Sequence, residues 1–122
     1  MNTEKTVNEE RQPALKVAEV IASTYVLCAA IWFDDNQTHV HQPRNIDSGF
    51  VIVGHRHHNC FITANIFDTS PRFAKMEKCQ GFITNDNLFV DRKVALKIAI
   101  SKNQVLDMSQ IRGDNLYSED LY

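Results

Sequence analysis

The segment "VGHRHHNC", residues 53–60, packs three histidines, an arginine and a cysteine into eight positions. Four chemistries are open to such a cluster. Zinc could draw on His39 and His41, two apart on an expected strand and so on one face, together with His55, His57 and Cys60. Structural zinc sites use paired ligands at short fixed spacings, however, and no such pair involving cysteine occurs here. The spacing fits a buried thiol beside surface histidines better. "HHNC" superficially matches histidine/asparagine nucleases, but "NLFVDRK" downstream offers no partner motif for the metal. Cys60 beside His57 has the residue types of a nucleophile and base, yet a cysteine on the apolar stripe of a helix is ordinarily inert.

The fourth chemistry is anion binding, and it suits the pattern best. Arg56 falls where a strand gives way to a helix, with His57 and Asn59 near the first helical turn. Unpaired N–H groups and a positive partial charge at a helix N-terminus suit phosphate oxygens. Arg92 repeats the arrangement at a second strand-to-helix junction, and Arg112 precedes the C-terminal segment. Four rings raise the matching question for a base. Phe89 reads as core, Phe82 follows Gly81 at a strand start, and Tyr117 and Tyr122 lie in a tail with no evident core to fill. Stacking on such a ring contributes about 1–3 kcal/mol per base.

The elements that must position these residues follow from the pattern. "ALKVAEVIAS" (14–23) spaces Leu15, Val17, Ala18 and Ile21 along one helical face, after a polar lead-in over residues 1–13. "TYVLCAAIWF" (24–33) is β-branched and aromatic, breaks at "DDNQ" (34–37) and resumes as "THVHQ" (38–42), which predicts a hairpin. "SGFVIVG" (48–54) predicts a strand, and 55–67 a helix with Cys60, Phe61, Ala64 and Phe67 on its stripe. A polar connector spans 68–80, and "GFITNDNLFV" (81–90) predicts a second hairpin. Asp91 is then the N-cap of "RKVALKIAIS", with Val94, Ala95, Ile98 and Ala99 facing inward. "QIRGDNLYSEDLY" (110–122) has no apolar period, so it either hangs free or closes over something.

At 122 residues the chain fits one domain with a modest core. A net charge of −2 excludes a generic nucleic-acid coat, so phosphate recognition must be local and directed at a small ligand. Three cysteines at unrelated spacings, with no CxxC and no opening secretory signal, predict reduced thiols in a cytosolic protein. The longest apolar run, "YVLCAAIWF", is too short to span a bilayer.

The block "GFITNDNLFVDRKVALKIA" (81–99), with the terminal "LYSEDLY" (116–122), resembles the Thoeris anti-defence 1 proteins of phages and prophages. "AAIWFDD" and "GHRHHNC" are similar to that family's opening hairpin and first helix, so the likeness spans residues 24–122. The resemblance implies a sponge that sequesters cyclic ADP-ribose isomers, notably the glycocyclic kind made by bacterial TIR-domain immune enzymes, without degrading them. It also implies cyclic di- or trinucleotides as a second ligand class and a homodimer or trimer of dimers in the host bacterial cytoplasm. The expected fold is α+β, a small antiparallel sheet with two or three packed helices, homo-oligomeric. Residues 1–23 form an extension and 24–122 the signal-binding domain, with 114–122 as its lid. Carried over by position, Phe82 stacks the base, Arg56, His57, Arg92 and Arg112 meet the pyrophosphate, and Ser118, Glu119 and Asp120 take ribose hydroxyls. His55 stands where the family pattern has a second arginine.

No cofactor, metal, DNA or membrane partner and no catalytic residue are implied. Two other readings stay open: a small phosphodiesterase or glycohydrolase using a histidine from 55–58 as general base, and an adaptor, either metal-binding or binding a host protein through the 14–23 helix.

Overall fold

The computed structural model describes residues 23–122. The expected helix over 14–23 therefore lies, but for its last residue, outside the described residues. Four strands form one antiparallel sheet: β1 (Val26–Phe33), β2 (Phe50–Gly54), β3 (Glu77–Thr84) and β4 (Phe89–Asp91), in the order β2-β1-β3-β4. Helices α1 (His57–Phe67), α2 (Pro71–Ala74) and α3 (Arg92–Ser101) complete an α+β fold.

Strand alternation sends Ala29, Ile31, Phe33, Ile52, Phe82 and Val90 into one core, which Val26 joins across the register shift between Val26 and Cys28. Cys60 and Ala64 of α1, Phe73 of α2, and Ala95, Ile98 and Ala99 of α3 close it from the other side. Leu116 and Leu121 of the C-terminal segment join the same core. The opposite sheet face carries Ala30, Trp32 and Phe89, with Ile46 of the 34–49 loop packed against them. Both faces are thus covered at the sheet's centre.

The helix boundaries follow local chemistry. Asp91 Oδ1 accepts from the N–H groups of Lys93 (3.0 Å) and Val94 (2.9 Å), the cap read from the sequence. At α1, Asn59 Oδ1 returns to accept from the Arg56 N–H at 2.9 Å, which fixes Arg56 at the strand-to-helix corner.

Two expectations are corrected. Residues 38–42 are not a strand: β1 pairs with β2, and the intervening 34–49 segment is a loop. Asn36 and His41 both take positive φ (63°), which breaks any ladder, and Gln42 and Asn45 pair with strand edges through their side chains. Asn45 brackets Phe89, accepting from its N–H at 2.9 Å and donating to its carbonyl at 2.7 Å. Gln42 Oε1 accepts from the Val51 N–H at 2.9 Å. The loop ends at Gly49 (φ +84°), where a Cβ would fall 2.2 Å from the Phe33 carbonyl, so only glycine fits.

The 68–80 connector is likewise shorter than expected. Ser70 caps the short α2, which has Pro71 at its first position, and β3 begins at Glu77 rather than 81.

Candidate functional site

The arginines meet around the C-terminal turn. Met108–Gln110 and Ser118–Asp120 form short 3-10 turns, and the chain between them returns to the start of α3. There the Leu116 N–H donates to the Arg92 carbonyl at 3.0 Å. Arg92 Nη1 donates in turn to the Leu116 carbonyl, and its Nη2 to Gln80 Oε1, both at 2.9 Å. This partly buried guanidinium therefore ties the C-terminal segment to β3.

Tyr117 gathers the cations. The Arg92 and Arg112 guanidinium carbons lie 4.5 and 4.0 Å from the centroid of its ring. Cation–π attraction offsets part of the repulsion between two like charges held this close. Arg112 Nη2 also donates to Glu119 Oε2 at 3.0 Å. Glu119's own backbone N–H, then Arg112, and more weakly the charge of Arg56, hold its carboxyl below the usual glutamate range. An open cavity of about 540 Å³ lies against this ion pair, lined by Ser109, Gln110, Ile111, Arg112, Glu119 and Asp120. That volume is within the usual range for small-molecule sites.

Arg56 is held by Tyr122. Its Nη2 donates to the Tyr122 carbonyl, and its guanidinium lies 5.5 Å from the Tyr122 ring centroid. Tyr122 stacks on His55 at 4.3 Å, and its hydroxyl donates to the His55 carbonyl at 2.8 Å. Arg56 Nη1 is buried with no hydrogen-bond partner among the described residues. A buried cationic donor left unsatisfied is costly, and it is a group on which an anion would gain.

Residues 25–122 match a protein-family profile described as Phage T4 y16D protein. The chain belongs to that phage protein family. No curated protein and no solved structure matches it. The y16D match covers every described strand and helix and the whole arginine cluster.

Within this y16D domain three assignments from the sequence are corrected. Phe82 is fully buried in the mid-strand core, so it cannot serve as a stacking plate; it offers its ring to the edge of His57 instead, at 5.1 Å. His57 is no cation for phosphate. Burial, reinforced by the charge of Arg92, pushes its pKa down to about 4, and its Nε2–H donates to the Gly81 carbonyl at 2.8 Å. Ser118 and Asp120 are buried, and Asp120 Oδ2 accepts from the Tyr117 N–H at 2.9 Å, which shapes the turn and leaves that oxygen engaged. Of the residues assigned to ribose, Glu119 alone stands in solvent.

Sequence reasoning left out Gln80, whose polar side chain in a stretch read as connector gave no sign of its partner 12 residues on. Tyr117 was a candidate ring, but its use as a platform for two guanidinium groups depends on a fold the spacing did not reveal.

The other reactive types are muted. Burial raises the Cys60 thiol to about 11 and the Cys79 thiol to about 12, and lifts Cys28 as well, so all three are protonated at neutral pH. Among the described residues no group of three His, Cys, Asp or Glu side chains could hold a metal ion. No helix among them is long and apolar enough to cross a membrane.

The state of His57 has a consequence for stability. Between the ordinary histidine value of 6.5 and about 4, the unfolded chain takes up a proton here that the folded chain does not. Stability is therefore whole above that window and lost as pH falls through it, by at most roughly 3 kcal/mol. Urea denaturation at pH 7 and pH 4.5 checks this. His57→Gln keeps an amide donor for Gly81 without a titrating ring, and it should lose less stability than wild type over that interval. Equal losses in the two proteins would remove His57 as the cause.

Proposed function

We propose that this y16D-family chain binds a cyclic ADP-ribose-type signal and holds it without cleaving it, as a phage sponge against TIR-dependent Thoeris defence in the host bacterial cytoplasm. The observation that carries the reading is the gathering of Arg92 and Arg112 on Tyr117, beside Glu119 and within electrostatic reach of Arg56. Arg112 lines the cavity with a guanidinium fork that can meet phosphate oxygens through two parallel N–H bonds. Arg92, whose Nη groups hold Leu116 and Gln80, adds its charge from the same Tyr117 ring, and together they suit a diphosphate. The protonated thiols and a histidine whose Nε2 is already engaged favour binding over bond cleavage. The likeness of "GFITNDNLFVDRKVALKIA" and "LYSEDLY" to Thoeris anti-defence 1 proteins supports the ligand's identity.

Under this reading the base stacks on a ring other than Phe82, and Tyr122 beside His55 is the candidate. Glycocyclic ADP-ribose isomers are the first ligand class and cyclic di- or trinucleotides the second. The assembly is a homodimer or a trimer of dimers. A sponge has to outcompete the receptor, which sets nanomolar affinity, about −12 kcal/mol, as its natural scale.

The deciding experiment incubates protein with cyclic ADP-ribose isomers, denatures it by heat and measures ligand in the supernatant. Ligand returned intact and in stoichiometric amount is the expected result. Its consumption would replace the sponge with a phosphodiesterase or glycohydrolase. A melting temperature unmoved by every nucleotide, with a protein partner co-purifying, would replace it with an adaptor.

A further inference from the structure

We propose that Glu119 is a built-in competitor for the anion site, occupying Arg112 until a ligand with two negative charges displaces it. This deepens the diphosphate reading above and rests on it.

The argument begins with how the pair is held. An exposed ion pair on free side chains is ordinarily worth little, because both partners must be ordered to form it. Here one turn supplies the order for both. Tyr117 lies under the Arg112 guanidinium at 4.0 Å, and Glu119, two residues on, meets Arg112 Nη2 at 3.0 Å. The backbone of that turn is pinned on each side. Leu116 and Leu121 are in the core, Asp120 caps Tyr117, and the Leu106 N–H donates to the Asp120 carbonyl at 2.9 Å. The carboxylate is thus delivered to the guanidinium by the fold.

Both side chains nevertheless remain more than half exposed, 57% for Arg112 and 58% for Glu119, and both line the same cavity. Glu119 can therefore swing into solvent without breaking anything buried. The exchange is selective. A monoanion offers Arg112 roughly what Glu119 already offers, so it gains little by displacing it. A diphosphate brings a second charge, which is also drawn by the Arg92 guanidinium held on the same Tyr117 ring. Glu119 would then set a threshold that favours dianions over monoanions.

The test is calorimetric titration of inorganic pyrophosphate and of dimethyl phosphate, which carries a single negative charge, into wild type, Glu119→Gln and Glu119→Ala. Both variants should bind pyrophosphate more tightly than wild type, by about tenfold for removal of one opposing charge at this range. Their gain for dimethyl phosphate should be larger still, so the preference for pyrophosphate narrows. Unchanged or weaker pyrophosphate binding in both variants overturns the proposal, as does pyrophosphate failing to bind any of the three proteins.

Cyclic ADP-ribose isomers, titrated in parallel, separate the two readings. If no isomer binds any of the proteins while the pyrophosphate gain is present, the competitor stands and the ligand class fails. If wild type binds an isomer tightly and both variants lose that affinity, Glu119 contacts the ligand's sugar and the competitor role is wrong.

Discussion

Deleting residues 114–122 is expected to unfold the domain. Leu116 is fully buried and Leu121 nearly so, both in the core that also holds Phe82, Ala95 and Ile98. Truncating a buried leucine costs about 2–5 kcal/mol each, against a total stability of about 5–15 kcal/mol for a domain of this kind. The deletion also leaves Arg92, itself partly buried, without the Leu116 carbonyl, and Arg56 without the Tyr122 carbonyl. A lid that closes over ligand, the role the resemblance implied for residues 114–122, would come away with folding intact. This segment is anchored as core. Circular dichroism and urea denaturation of the 1–113 chain, alongside Leu116→Ala, provide the measurement. Leu116→Ala should lower stability by about 3 kcal/mol and remain folded, while the truncation loses its cooperative transition. A truncated chain that melts as wild type does would mean the tail's burial contributes nothing.

Much of the framework was legible because its signals are local. The apolar run of β1, the glycine-bracketed β2, the Asn/Asp turn before β4 and the Asp91 cap each depend on residues within a few positions of one another. The long-range parts were not. Asn45 serves β4 from 44 residues away, and Gln104 serves the first residue of β1 from 78 away, accepting from its N–H at 2.9 Å and donating to its carbonyl at 2.8 Å. No spacing rule marks a glutamine or asparagine as a substitute strand.

Phe82 was misread for a related reason. Alternation puts Phe82 and Thr84 on one face and Gly81 and Ile83 on the other, but both faces of this sheet are covered at the centre, so the period does not say which ring is free. The tail was misread because its two anchoring leucines are five apart and separated by turn residues, which matches neither the helical nor the strand period. The arginine cluster sits between these cases. Each junction was visible, but the ring that joins two of its members is supplied by that same unreadable tail.

Arg112 and Arg92 should therefore separate affinity from stability when each is removed. The Arg112 side chain is exposed and set against Tyr117, Glu119 and the cavity. The Arg112 carbonyl that accepts from the Asn115 N–H survives substitution, so Arg112→Ala should leave the melting temperature near wild type. Loss of one charge-assisted contact with a diphosphate, about 1.5–3 kcal/mol, predicts affinity for a cyclic ADP-ribose isomer falling by roughly 10–150-fold. Arg112→Lys should recover part of that, because the charge returns without the planar fork. Arg92 differs because its two Nη groups already hold the Leu116 carbonyl and Gln80. Arg92→Ala should lower both affinity and stability, the latter by about 1–3 kcal/mol for acceptors left unpaired. Tyr117 decides whether the ring matters as a platform. Tyr117→Phe keeps a face for both guanidinium groups and should bind nearly as wild type, whereas Tyr117→Leu keeps the apolar bulk without the quadrupole and should bind several-fold more weakly. Calorimetry with parallel thermal melts reads both axes. Equal affinity in the Phe and Leu variants would reduce the ring to packing, and the gathering of the arginines would need another cause.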